Sequence, residues 1–162
     1  MPTADNPSLS LLRHTLATLA YRAGKAIRGA SAEFAGFQAA PGARTPLQIL
    51  AHMGDLFDWA LSIARGKQEW HDSKPLAWDA ESARFFAALK AFDDFLASGQ
   101  TLQAPVEKLF QGPVADALQH TGQLTILRRV AGAPIRGENY FKAEISSGRV
   151  GAEQAAPKRE FD

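Results

Sequence analysis

Apolar residues recur along this chain at alternating spacings of three and four, the period of a helix with one buried face. Leu9, Leu12, Leu16, Leu19, Ala23 and Ala26 form the first such stripe and predict a helix from Ser8 to about Arg28. His14 falls off that stripe and reads as a surface or interface residue. Ile49, His52, Leu56, Trp59 and Ile63 form the second stripe, on a helix from Thr45 to about Gly66. Its start has the form of a capping box, with Thr45 as N-cap, Pro46 next and Gln48 at the third position. His52 is the one ionisable residue in that stripe. A third helix is expected from Asp79, as N-cap, to about Ser98, with Phe85, Leu89, Phe92 and Leu96 inward. The fourth is bounded by Gly112-Pro113 and Ala131-Gly132, a proline at the first helical position and a glycine just past the last. Leu124, Leu127 and Val130 are expected on its inner face.

The segments between these helices are long. Gly29 to Arg44 reads as a loop punctuated by Gly36 and Pro41-Gly42, with Phe34 and Phe37 as anchors. Lys67 to Trp78 is a second loop, in which His71 beside Trp70 reads as surface. Gln100 to Gln111 is equally consistent with a short strand and with an irregular crossing. A short helical piece is expected near Glu138 to Ile145, and the small-residue-rich tail from Ser146 is expected to lie along the surface. No segment alternates as a confident strand, and no repeat is evident. The expected architecture is all-α, a four-helix bundle in a single domain over 1–162. Its long connections favour a crossover, and its C-terminal extension is short and helical. Helices of this length are about 30 Å long.

Composition narrows the function. The chain has 162 residues, enough for one domain with a real core, and 46% of them are hydrophobic. A net charge of +1 gives no electrostatic case for nucleic acid or for an anionic membrane as partner. There is no cysteine, which excludes disulfides, thiolate ligands and a cysteine nucleophile. No apolar run approaches the length of a membrane span. Met1 to Ser8 lacks a basic region followed by an apolar one, so no signal peptide is read and a cytoplasmic location is expected.

The candidate chemistry lies on the second and fourth helices. Asp116 and His120 are four residues apart and share a helix face, and Gln123 joins them one turn on. A carboxylate and an imidazole on an inward face need a partner, since unpaired buried polar groups are costly. Taken singly, each has a plain explanation: a hydrogen-bonded core histidine, or a carboxylate complementing the dipole of a helix N-terminus. Together with His52 they make an open site of two histidines and one carboxylate, a donor set that zinc and non-haem iron both accept. Gln123 reads as a support for the ligands or a substrate contact, because amide oxygens are weak ligands for such metals. Asn139 and Tyr140 follow the last long helix and are placed to fold back on the site, with packing as the competing role.

These features resemble the DinB-like (YfiT-like) superfamily of helical-bundle metalloenzymes. The resemblance rests on Thr45-Pro46 with His52, on His120-Thr121-Gly122-Gln123-Leu124 and on Leu127-Arg128-Arg129 with Gly132, in that order, and spans about Leu9 to Val150. His52 matches the family's second-helix histidine, and His120 the histidine just before its Gly-Gln pair. Many members carry a further histidine where this chain has Asp116, which makes this site one charge more negative and favours harder metals. The resemblance implies a metal site, with zinc or nickel leading and iron or manganese admissible. It also implies a small-molecule substrate, a thiol transferase or isomerase using a low-molecular-weight thiol, and a homodimer. The competing classes are a non-catalytic metal- or ligand-binding bundle, such as a dimeric stress-response protein, and a metal-dependent hydrolase. An oxygenase is compatible with the same donor set.

Overall fold

The computed structural model describes residues 6–161, and the chain there is mostly helical. The long helices are α1 (Pro7–Ile27), α3 (Pro46–Ala64), α4 (Trp78–Ala97) and α6 (Ala115–Val130). Two single-turn helices, α2 (Ala32–Ala35) and α5 (Val106–Leu109), lie in the connections. α3 packs on α4 and α6, and α1 packs on α6 and α4. Leu12, Leu16, Leu19, Ile49, Leu56, Phe85, Leu89, Phe92 and Leu124 are buried in one cluster, with Leu127 partly buried against it. The loop anchors behave as their sequence suggests, Phe34 buried and Phe37 packed on the same cluster.

Helix ends follow local chemistry at two places and depart from it at two others. At α3 the capping box forms in full: Gln48 N donates to Thr45 Oγ1 over 3.2 Å, and Thr45 N donates to Gln48 Oε1 over 2.9 Å. The helix closes at Gly66, whose φ of +83° is the left-handed value that favours glycine. Asp79, by contrast, does not cap α4. That helix begins at Trp78 with Ala77 as the flanking residue, and no side chain caps it. Glu81 does the nearest equivalent work, accepting Leu76 N over 2.7 Å. Nor does the fourth long helix begin at Pro113. Helical backbone already runs through α5, and Phe110–Val114 form one wide π-type turn with Pro113 inside it. A proline has no N–H and crowds the carbonyl four residues back; widening the turn is one way a helix absorbs both faults.

The C-terminal part also differs from expectation. Gly137–Glu138 form a strand, β1, paired antiparallel with β2 (Glu160–Phe161), and only Tyr140–Lys142 make a single tight helical turn. A long-range interaction decides this. Glu138 is buried, and its carboxylate accepts Tyr21 Oη and Lys25 Nζ, each over 2.6 Å, from α1. Tyr140 packs edge-on to Tyr21 and lies under the Arg22 guanidinium. Val130 is likewise not an inward residue but 60% exposed. In that last turn Arg128 is the buried side chain. It donates to the carbonyls of Ala26, Arg28 and Ala133, tying the end of α6 to the end of α1.

Two tests of this packing follow. Leu89→Ala empties a fully buried position and is expected to cost about 2–5 kcal/mol, read from denaturant unfolding. Burial, and secondly the hydrogen bond to Glu138, push the Tyr21 phenol above its ordinary range. Its stabilising contribution is therefore complete below about pH 10 and is lost as pH rises towards the higher folded value. Tyr21→Phe is expected to cost about 1–3 kcal/mol at neutral pH. It should also flatten this alkaline loss, which unfolding free energies measured from pH 8 upward would register.

Candidate metal centre

His52 on α3 and Asp116 and His120 on α6 meet where these two helices face each other. Asp116 Oδ2 lies 3.3 Å from His52 Nε2, and Asp116 Oδ1 lies 3.4 Å from His120 Nε2. The two imidazole rings are 4.8 Å apart, centre to centre, and nearly perpendicular. One ligand atom from each residue fits within a 4.8 Å set. The three residues can therefore reach one ion.

At 3.3 Å the approach of His52 to Asp116 is a long hydrogen bond, and the same spacing suits two ligands of one ion. A charge-assisted N–H···O⁻ bond is normally ~2.7–2.9 Å long, shorter than either separation here. Two tetrahedral ligands at ~2.0–2.1 Å from zinc stand about 3.3–3.4 Å apart. The contact of His120 with Gln123 is compatible with an ion as well. His120 Nδ1 lies 2.7 Å from Gln123 Oε1, an oxygen that can only accept, so Nδ1 carries the proton. With the ring neutral, as metal ligation requires, Nε2 then presents a lone pair towards the Asp116 carboxylate. Two acceptors repel at this range unless a proton or a cation lies between them. Gln123 thus contacts the outer nitrogen of His120, the position from which a neighbouring group orients a histidine ring.

Burial is graded across the site. His120 is 7% exposed, the side chain of His52 is 19% exposed and that of Asp116 is 41% exposed. Asp116 therefore opens the site to solvent. Its dipole explanation weakens, since residues ahead of it are already helical and no free N-terminus exists there. Trp70 packs edge-on to His52 and to Trp59, forming an aromatic wall. Two cavities adjoin the centre. One of about 320 Å³ is lined by His120 and Gln123 with Ile49, Ile126 and Leu127. The other, of about 230 Å³, is lined by His52 with polar groups that include Gln48, Asp55 and Asp72. Arg44 lines both.

Asn139 has its contacts elsewhere. Its side chain accepts Phe141 N, and it lines a depression with Lys142, Lys158 and Arg159 that none of the three centre residues lines. His14 is exposed on α1. His71 is half-exposed, and it belongs to a second group of metal-ligand type with Asp55 and Asp58. That group is already engaged by other partners. Arg84 on α4 donates to Asp55 over 3.1 Å and lies 3.5 Å from Asp58, while Ser73 donates to both oxygens of Asp55. Asp55 is buried, so His52 is not the sole inward ionisable group of its helix. The three-residue step from His52 to Asp55 was the signal available in the sequence. Nothing local pointed to Arg44.

No protein-family model matches the chain, no curated protein matches its sequence and no solved structure matches its fold.

The Gln123 contact is open to direct measurement. Nitrogen chemical shifts of His120 are expected to report the Nδ1–H tautomer in the native protein. In Gln123→Leu that bias should vanish while the helical spectrum is unchanged. An Nε2–H majority in the native protein would contradict the assigned role.

Proposed function

We propose that this chain is a divalent-metal-dependent enzyme of the DinB-like kind, built on a four-helix bundle, with His52, Asp116 and His120 as ligands. The observation that carries the reading is the approach of one carboxylate to two imidazole nitrogens, over 3.3 and 3.4 Å, in a set of ligand atoms that lie within 4.8 Å of one another, with Gln123 on one imidazole. The resemblance in helix order and in the His-Thr-Gly-Gln segment supports the same reading. Two nitrogens and one oxygen suit zinc or nickel, and the carboxylate also admits iron or manganese.

An ion held by three protein ligands keeps an open position, where it acts as a Lewis acid and lowers the pKa of a water or thiol. Around that position the chain's own residues favour a thiol-dependent transferase or isomerase over a hydrolase. The cavity beside His120 is walled by Ile49, Ile126 and Leu127 and contains no carboxylate, lysine or further histidine to act as a general base. Activating a thiol needs no such base beyond the ion, whereas hydrolysis benefits from one. Asp72, in the cavity beside His52, is the observation in favour of the hydrolase as second reading. The apolar walls fit a small molecule with an aliphatic part. No helix among the described residues is long and apolar enough to cross a membrane.

The decisive experiment is elemental analysis of untagged protein, followed by an activity screen with and without a low-molecular-weight thiol. The expected result is about one divalent ion per chain in the native protein and loss of it in His120→Ala. The helical circular-dichroism spectrum should be kept, because the core does not depend on that side chain. Metal without any thiol-dependent turnover would favour the non-catalytic binding module. Native protein that takes up no divalent ion would overturn the reading altogether.

A further inference from the structure

We infer that Arg44 is the specificity-determining residue of this site, and that the ligand it selects is a small aliphatic molecule bearing a carboxylate. The inference rests on the metal-centre reading above and narrows its substrate class.

Arg44 is the one residue that lines both cavities flanking the centre. Its backbone is held on either side. Ala43 O accepts Gln38 Nε2 over 3.1 Å, and Thr45 is locked in the capping box of α3. The side chain, by contrast, is exposed and has no hydrogen-bond or ion-pair partner among the described residues. Elsewhere the guanidinium groups near or within the core are engaged: Arg13 by Asp93, Arg84 by Asp55 and Glu81, Arg128 by three carbonyls. An exposed guanidinium on a residue that lines a cavity presents a planar fork of donors matched to a carboxylate.

Charge agrees with this assignment. One carboxylate, Asp116, among neutral histidines leaves a divalent ion one positive charge in excess, and Arg44 adds another; in the cavity beside His52, Asp55 is engaged by Arg84 and Ser73, which leaves Asp72 as the further acidic group. Apart from Gln123, the cavity shared by Arg44 and His120 has apolar walls. Its volume of about 320 Å³ falls within the range of small-molecule sites. A ligand with an aliphatic body on Ile49 and Leu127 and a carboxylate at Arg44 matches these walls. A neutral ligand would leave the guanidinium without a partner, and a cationic one would be repelled.

Calorimetric titration of the zinc-loaded protein with mercaptohexanoate and with uncharged mercaptohexanol of the same length tests this. The native protein is expected to bind the acid about tenfold more tightly than the alcohol. Arg44→Gln should bring the acid down to the alcohol's affinity with zinc content and thermal midpoint unchanged, and Arg44→Lys should restore part of the preference. Equal binding of the two thiols by the native protein, or a preference that survives in Arg44→Gln, would overturn the role of Arg44 and leave the metal centre standing. Failure of the native protein to load zinc or any other divalent ion would overturn both.

Discussion

Arg84 is the interaction on which the organisation of this protein around its candidate site depends. It reaches from α4 across α3 at Gly54, where an added Cβ would stand 2.9 Å from the guanidinium carbon. Through that gap it meets Asp55, Asp58 and the carbonyl of Ala51 on α3, while Glu81 holds it from its own helix. Asp55 and Glu81 are both buried, and buried carboxylates persist when they are paired and hydrogen-bonded. Asp55 passes the constraint on. It accepts from Ser73, and with Asp58 it takes His71, so the loop after α3 is fastened to the helix it has just left. That loop carries Trp70, which packs on His52. A salt-bridge cluster at the α3–α4 seam thus reaches, through one loop, the ring orientation of a candidate metal ligand.

The α3–α6 seam supplies the remainder of the site. Four-residue spacing stacks Asp116 over His120 on any helix, but what they meet is a matter of packing. α6 continues a helical segment through the wide turn at Phe110–Val114, and turns of that kind are often found at functional sites. Asp116 consequently lies within helical backbone, beside two imidazoles, instead of serving an exposed helix end.

The C-terminal segment is organised by a third polar cluster, in which Tyr21 and Lys25 of α1 share Glu138. This places β1 against α1 and gives β2 something to pair with. The polar groups buried in the described core are thus mostly joints between segments distant in sequence, which is where their pairing constrains the fold most.

How much of this was legible in the sequence differs by kind of signal. Periodicity was enough for the four long helices and for nearly all the core positions named from it, because a buried helical face must repeat at 3.6 residues whatever it packs against. The α3 capping box and the shared face of Asp116, His120 and Gln123 were legible for the same reason, being set within one or two turns. The start of α6 was misjudged because a proline at a first helical position and a proline inside a widened turn look alike in sequence. Asp79 looked like a cap because its type favours one, yet α4 begins one residue earlier and Glu81 reaches back instead. The strands β1 and β2 were invisible: two residues carry no period, and their partners lie more than twenty residues apart. Convergence of His52 with Asp116 and His120, burial of Asp55 under Arg84 and the free position of Arg44 between two cavities were decided by tertiary structure alone. Each joins residues from different elements, and local spacing determines which face a side chain occupies, not which other face it will meet.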